Sequence, residues 1–275
     1  MSKKKIQEIF GANADAYVTS QVHAQGASLP RLVELLAPRA EWQVLDVATG
    51  GGHTAFVLAP HVANVIASDL TTEMLRNAAK GAEERGLTNV AAETADAEQL
   101  PFPDGSFDCV TCRIAAHHFP DNGRFLSECA RVLKPGGRMA LVDNVVPGSH
   151  LRGKKAKTQR QVGEYVNAFE KLRDPSHVRA LSVDEWLNLF VDAGFSEIHQ
   201  ETHRKKMDFD TWTNRMQVTP ENRMRLKAML LQSPTAVADF LTPQSTGDRI
   251  AFYLTEAIII GRSAISHVSS GTEIK

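Results

Sequence analysis

What this chain has little of narrows its class before any motif is read. Cysteine is scarce: three in 275 residues, an odd number, so no disulfide framework carries the fold. Net charge is nearly absent, with 31 basic against 32 acidic residues and a formal charge of −1, so no global field marks a nucleic-acid or membrane partner. Long apolar runs are missing too. None approaches the roughly 20 residues of a bilayer span, so no membrane span is expected. The opening Met-Ser-Lys-Lys-Lys is not followed by an apolar stretch of signal-peptide length. The expectation is a cytoplasmic protein whose partners are small molecules. Apolar residues, by contrast, make up 43%, enough for a substantial core in one large domain or a domain with insertions.

The most informative stretch is Val44-Leu45-Asp46-Val47-Ala48-Thr49-Gly50-Gly51-Gly52-His53-Thr54. It reads as strand, tight turn and helix start. Glycines at such a turn accept positive φ and let a ligand approach closely. The helix that follows directs its free N–H groups at that ligand. Gly50-x-Gly52-x-x-Ala55 also fits the relaxed dinucleotide fingerprint, so the loop by itself suits nicotinamide, flavin and other adenosine-type ligands alike. A second apolar run, Val62 to Ser68, ends in Asp69, 23 positions after Asp46. A carboxylate there can accept both hydroxyls of an adenosyl ribose. The alternative is a helix-capping Asp69 before Thr71-Thr72-Glu73.

The rest of the chain alternates two periodicities. Strands are expected near 43–48, 63–68, 90–94, 107–112 and 138–144, with helices near 54–60, 71–86, 121–133 and 184–193. This alternation predicts an α/β fold, a parallel sheet with helices on both faces and ligands at the carboxyl ends of the strands. Asp46, Asp69 and Asp96 all fall near such ends, and Asp96 suits the exocyclic amine of an adenine. Cys109 and Cys112 form a C-x-x-C on a β-rich run, where positions i and i+3 face opposite sides, which argues against a redox or metal site. Ahead of the first strand, Ile6, Phe10, Ala14, Tyr17 and Val18 recur at helical spacing, and Leu29 to Leu36 form a second helix. This segment is either a packing helix or a lid with Tyr17, Ser20 and His23 facing the crevice.

Asp46-Val47-Ala48-Thr49-Gly50-Gly51-Gly52, Asp69, Asp96-Ala97, the Leu100 to Asp108 segment and Leu133-Lys134-Pro135-Gly136-Gly137 follow in that order. On those residues, over roughly 40–145, the chain resembles a class I S-adenosylmethionine-dependent methyltransferase. It is most similar to the small-molecule group that includes ubiquinone and menaquinone C-methyltransferases. Ala48 and Thr49 stand where that family often has glycine and cysteine. Nothing resembles the Asn-Pro-Pro-aromatic motif of nucleobase amino methylases. The resemblance implies a Rossmann-like, seven-stranded, mostly parallel sheet whose antiparallel last strand lies beside the fifth, with a helical lid and insertions. Residues 196–203 would be its sixth strand and Phe252 to Gly261 its seventh. The implied organisation is a single domain, 1–275. It comprises a lid (1–37), a cofactor-binding half (38–145), a helical cap insertion (146–182) and a sheet-completing part (183–275) with its own helical insertion (206–248).

The implied cofactor is S-adenosylmethionine, with S-adenosylhomocysteine as product. Asp69 and Asp96 would bind ribose and adenine, and Gly50 and Gly52 would make room for the methionine part. Asp46 would fix the loop and the donor's amino end. Thr49, Leu70, Ala97 and Arg113 would complete the donor's surroundings, with Tyr17 and His23 closing over it.

Transfer from a sulfonium asks for an in-line nucleophile and exclusion of water, with a base of suitable pKa where the nucleophile carries a proton. His117-His118, after the fourth strand, are the candidates, against the alternative of packed structural histidines. Two adjacent histidines without further ligands do not make a metal site. His177 and Arg179, in Asp174-Pro175-Ser176-His177-Val178-Arg179, are candidates for the acceptor pocket, against an Asp-Pro turn with solvated charges. Arg152, Lys154, Lys155, Lys157 and Arg160 read as a solvated helix face. The apolar residues from Trp212 to Leu241 would roof the pocket or form a homodimer face. Two rival functions remain at this point. An NAD(P)-dependent oxidoreductase would share the loop and Asp69, although no Tyr-x-x-x-Lys pair accompanies them. A non-catalytic adenosyl-binding protein would keep the crevice and tolerate loss of the histidines.

Overall fold

The protein is represented by a computed structural model that describes residues 7, 11, 26–148 and 152–264. From Ser28 the chain runs α1 (Ser28–Leu36), β1 (Gln43–Val47), α2 (His53–Leu58), β2 (Asn64–Asp69), α3 (Thr72–Glu84), β3 (Val90–Thr94) and β4 (Phe107–Arg113). A 3-10 turn (Ala116–His118), α4 (Asn122–Val132) and β5 (Leu133–Val145) follow. The remainder is α5 (Lys154–Arg173), α6 (Val183–Asp192), β6 (Phe195–Asp208), α7 (Phe209–Asn214), α8 (Pro220–Leu231), α9 (Thr235–Leu241), β7 (Gln244–Thr246) and β8 (Arg249–Ser263).

The sheet order is β3-β2-β1-β4-β5-β8-β6, with β7 paired to β8. Strands β1 to β5 are parallel, and β8 is antiparallel to both β5 and β6. The expected seven-stranded order with an antiparallel strand beside the fifth is therefore present, and β7 adds a short eighth strand over a Gly247-Asp248 turn. Strand order reverses at β1 and β4, which places a crevice at their carboxyl ends.

Helices cover both faces, so central strands are apolar on both sides. Val44, Cys109, Ala140, Val142 and Ile258 pack with Leu32 and Leu36 of α1 and Leu58 of α2. Leu45, Val47, Val110, Cys112 and Leu141 pack with Phe125 of α4 and Trp186 and Phe190 of α6. Cys109 and Cys112 thus lie in opposite layers, as the strand period requires. Helix α6 starts on a capping box in which Ser182 and Glu185 satisfy each other's backbone N–H groups.

Two boundaries lie five residues from expectation. β5 begins at Leu133, not 138, because Leu133 pairs with Phe107 before the register shifts and resumes at Cys109 with Arg138. β6 runs to Asp208, not 203, because β8 offers partners as far as Ala251. The stretch 206–248 is consequently helical only from Phe209 to Leu241, with strand at either end. Where β6 and β8 extend past the main sheet, they form the floor of a third apolar cluster with α5, α7, α8 and α9. Trp212 is its centre, stacked on Phe169 at 4.8 Å and edge-on to Phe252 at 5.0 Å. Among the described residues, no helix is long and apolar enough to cross a membrane.

The cap is fitted tightly to the connection from β5. A Cβ on Gly163 of α5 would stand 2.4 Å from the carbonyl oxygen of Pro147. Gly163→Ala, which in an exposed helix interior gains about 1 kcal/mol, is expected to destabilise here by about 1–3 kcal/mol through overpacking. A lowered denaturation midpoint checks this, and a raised one contradicts the close approach.

Candidate active site

The loop after β1 is built on backbone that few side chains tolerate. Ala48 has φ 52°, Gly50 53° and Gly52 85°. Glycine relieves this strain wherever it stands, so Ala48 carries an energetic cost that a glycine at that place would avoid. At Gly52 a side chain is excluded twice over, because a Cβ there would lie 2.4 Å from the Phe56 ring. Asp46 holds the loop from beneath. It is 1% exposed, accepting the Thr49 hydroxyl at 2.6 Å and the Thr111 hydroxyl of β4 at 2.7 Å. Burial pushes its carboxyl up to about 6, against the pull of those two hydroxyls and Arg113.

Asp69 ends β2 and faces the same loop. It accepts the Gly50 N–H at 3.0 Å and the Thr71 N–H at 2.9 Å. The helix-start role and the loop role therefore coexist in one carboxylate, whose two oxygens have about four acceptor positions. Burial raises its pKa, and the backbone N–H groups oppose the rise. Between the loop and the 3-10 turn lies a cleft of about 1020 Å³, including its open mouth. Thr49, Gly50, Asp69, Leu70, Asp96, Ala97, Arg113 and His118 line it. Met74, Ile114 and Phe119 add apolar surface. Ile114, with φ 55°, is a second strained residue on the rim. Gln7 reaches the rim too, donating to the Leu70 carbonyl at 2.8 Å.

At the far end of the cleft three histidine rings cluster, two pairs tilted and the third edge-on. The ring centroids of His117 and His118 are 4.1 Å apart, and those of His117 and His177 5.4 Å. His177 arrives because Val178 and Arg179 donate their backbone N–H groups to the His117 carbonyl at 2.9 and 3.0 Å. His117 Nδ1 lies 2.6 Å from Asp143 Oδ1 on β5, whose other oxygen accepts the His117 backbone N–H at 2.8 Å. Burial disfavours charge on His117, but the Asp143 carboxylate outweighs it and the net pKa is raised. The other two go the opposite way. Burial, then the charge on His117, lowers His118 to about 3 and His177 to about 2. His177 donates through Nε2 to Asn167 Oδ1 at 2.8 Å. That Asn167 orientation is fixed by its amide donating to the Gly163 and Ala180 carbonyls.

Of the residues singled out from sequence, the cleft gathers Thr49, Gly50, Asp69, Leu70, Asp96, Ala97, Arg113 and His118. Asp46 and Gly52 lie behind the loop as supports, and His117 and His177 lie behind His118. Arg179 turns away, pairing at the surface with Glu185 at 2.5 Å. Tyr17 and His23 lie outside the described residues. Sequence reading overlooked Asp143, although Val142-Asp143-Asn144 repeats the signal of Asp46, a carboxylate near the end of a buried strand. The turn weighed as an alternative at Asp174-Pro175 is present, closed by the His177 N–H on the Asp174 carbonyl at 3.0 Å, while Asn167 was missed entirely.

A family model described as a methyltransferase domain matches residues 45–141. The uncharacterised methyltransferase YcgJ of Bacillus subtilis (strain 168) is 35% identical over 254 residues, 92% of this chain and 96% of that protein. The demethylmenaquinone methyltransferase of Thermus thermophilus is 42% identical over 115 residues, 41% of this chain and 52% of that protein. The crystal structure of YcgJ superposes with a TM-score of 0.79 at 34% identity, over 86% of this chain and 98% of that one. A protein of Bacillus halodurans assigned as a methyltransferase gives 0.77 at 38% identity, over 87% of this chain and 100% of that one.

The histidine cluster has a signature in stability. Unfolded, His118 and His177 titrate near 6.5; folded, they stay neutral down to about 3 and 2. In that window the unfolded chain binds more protons, so this contribution is complete above 6.5 and declines as pH falls. His117, raised in the fold, has the opposite sign: its contribution is complete below 6.5 and is lost as pH rises through its folded value. His177→Gln is therefore expected to flatten the fall of the thermal midpoint between pH 6.5 and 5. Calorimetric scans across that range check it, and an unchanged slope would contradict a buried neutral His177.

Proposed function

The chain belongs to the class I S-adenosylmethionine-dependent methyltransferases, and on that premise we propose that it methylates a small-molecule acceptor, with a histidine beside the donor cleft as base. The observation that carries this reading is a single cleft with the strained glycine loop, Asp69 and Asp96 at one end and His118 at the other. The residues present fit the donor. Nothing lies within 4 Å of a Cβ built on Gly50, so the loop leaves its ligand side open. Asp69 keeps acceptor capacity for ribose hydroxyls, and Asp96 offers a carboxylate toward the adenine amine. Leu70, Met74 and Ala97 supply apolar walls for a flat ring. When bound, the donor supplies an electrophilic methyl group on a sulfonium.

The protein's own work is then positioning, exclusion of water and handling of a proton. The helices packed around Trp212 cover the part of β6 and β8 that extends past the main sheet, and they form the side from which an acceptor is proposed to enter. The name of the Thermus thermophilus relative, demethylmenaquinone methyltransferase, makes a quinone-type small molecule the first acceptor class to screen.

Thermal unfolding with S-adenosylmethionine, S-adenosylhomocysteine, NAD and NADP tests the donor. At a hundred times the dissociation constant, binding adds about 2.7 kcal/mol, which raises the midpoint by roughly 5 °C or more. The expected result is a rise with the two adenosyl sulfur compounds only, and a loss of about tenfold in their affinity in Asp69→Asn by titration calorimetry. A rise with NAD alone would overturn the reading and return the chain to the oxidoreductase alternative.

A further inference from the structure

We propose that Ile114 sets the size of the group that the donor's sulfonium can carry, admitting a methyl group and excluding longer alkyl groups. The inference rests on the methyl-transfer reading above and adds a specificity residue to it.

Alternation along β4 and β1 fixes where the next side chain of each strand should go. On β4, Val110 and Cys112 point into the layer of α4 and α6, and Cys109 into the layer of α1 and α2. The period of two then sends Ile114 toward α4 and α6. It packs against the α1 and α2 layer instead. Ala48, one residue past β1, is displaced the other way: Val44 lies on the α1 side and Val47 on the α4 side, yet Ala48 also packs on the α4 side. Both exchanges occur at residues with left-handed backbone, Ala48 at φ 52° and Ile114 at 55°. Val47 pairs with Cys112, so the two reversals stand on neighbouring strand ends, where the strand order turns.

A β-branched side chain is among those least suited to that backbone. Glycine would make the same bend without the cost. The bend is fixed on both sides. The Ile114 N–H donates to the Val142 carbonyl at 2.7 Å, prolonging the β4–β5 ladder, and the His118 N–H donates to the Ala115 carbonyl at 2.9 Å in the turn that follows. What isoleucine adds over glycine is therefore bulk, delivered at the cleft that Ile114 lines. Strain kept beside a ligand cleft points to use of the side chain that causes it.

The sheet order tells which part of the donor meets that bulk. Asp96 follows β3, and Asp69 ends β2. With adenine at Asp96 and ribose at Asp69, as proposed above, the sulfur falls on the far side of the ribose from the adenine, toward the ends of β1 and β4. Ala48 and Ile114 both line the cleft there, one with a single methyl group and the other with a branched aliphatic chain. An alkyl group on the sulfur is thus received between a small wall and a large one. In a closely packed apolar site, one extra methylene is discriminated by about tenfold or more.

Titration calorimetry of the full chain with S-adenosylmethionine, its S-ethyl analogue and S-adenosylhomocysteine tests this without any acceptor. Wild type is expected to bind the ethyl compound about tenfold more weakly than the methyl compound. In Ile114→Gly the backbone keeps its bend, and the two sulfonium compounds are expected to bind within about twofold of each other, with S-adenosylhomocysteine within about twofold of its wild-type affinity. Equal binding of the methyl and ethyl compounds by wild type would overturn the proposal. So would a wild-type ratio kept in the variant, or an equal loss of all three ligands, which is the result for a residue that only packs. Should the glycine variant not fold, Ile114→Val keeps the branched Cβ and most of the packing, and the ratio is expected to narrow by about threefold. An unchanged ratio there is contrary as well. Wild-type protein that binds none of the three compounds would sink the methyl-transfer reading instead.

Discussion

A carboxylate buried inside a parallel sheet must be supplied with donors, and the arrangement of this molecule follows from how Asp46 meets that demand. Its partners are one hydroxyl from the loop after β1 and one from the neighbouring strand β4. The first fixes Thr49 and with it the left-handed turn through Gly50 and Gly52. The second ties that turn to the strand whose extension carries the histidines. One side chain therefore sets the distance between the two ends of the cleft. Substituting an apolar residue would leave two buried hydroxyls to find other partners and the strained loop without its support.

The same device recurs along the carboxyl edge of the sheet. Asp143 fixes the 3-10 turn by taking both a backbone N–H and a ring nitrogen of His117. Glu256, on β8, is 1% exposed and accepts from His203 at 2.8 Å and Lys205 at 3.2 Å, both on β6. Burial opposes ionisation of Glu256, but Lys205 and His203 hold its carboxyl down to about 2. Glu256 shares a face of β8 with Ile258 of the sheet core and Leu254 of the cap cluster. A charged girdle thus separates two apolar cores on one continuous strand pair. This lets β6 and β8 run beyond the sheet without merging the cap into it.

How legible this was in the sequence depends on range. The β1 turn, Asp69 and the start of α6 are local patterns, in which the residues that make the structure are the ones that signal it. The order and direction of the last strands came from the family resemblance, since Ala257-Ile258-Ile259-Ile260 says buried strand but not which neighbour. The start of β5 was misjudged because Pro135-Gly136-Gly137 reads as a turn, while its extended course is set by Leu133 pairing with Phe107, 26 positions back. The histidine cluster was half legible. His117-His118 stood out, but Asp174 and Ser176 reach His118 from more than 50 residues away, on a segment held by the Val178 and Arg179 N–H groups that donate to the His117 carbonyl. No periodicity encodes such a contact. Arg179 was misplaced for a related reason: its backbone joins the site while its side chain leaves it for Glu185.

The three histidines also show why proximity of identical residues does not mean identical chemistry. Of the three, only His117 has its pKa raised, because the Asp143 carboxylate in contact with it favours its imidazolium form. A second cation within about 4 to 6 Å would repel the first in a medium that screens poorly. His118 and His177 are therefore held neutral by the charge next to them as well as by burial. Once neutral, a ring must distinguish its two nitrogens, and for His177 the partner makes that choice: Asn167 Oδ1 takes the hydrogen of Nε2. Three copies of one side chain thus differ because their neighbours differ: His117 faces Asp143, and the other two face His117.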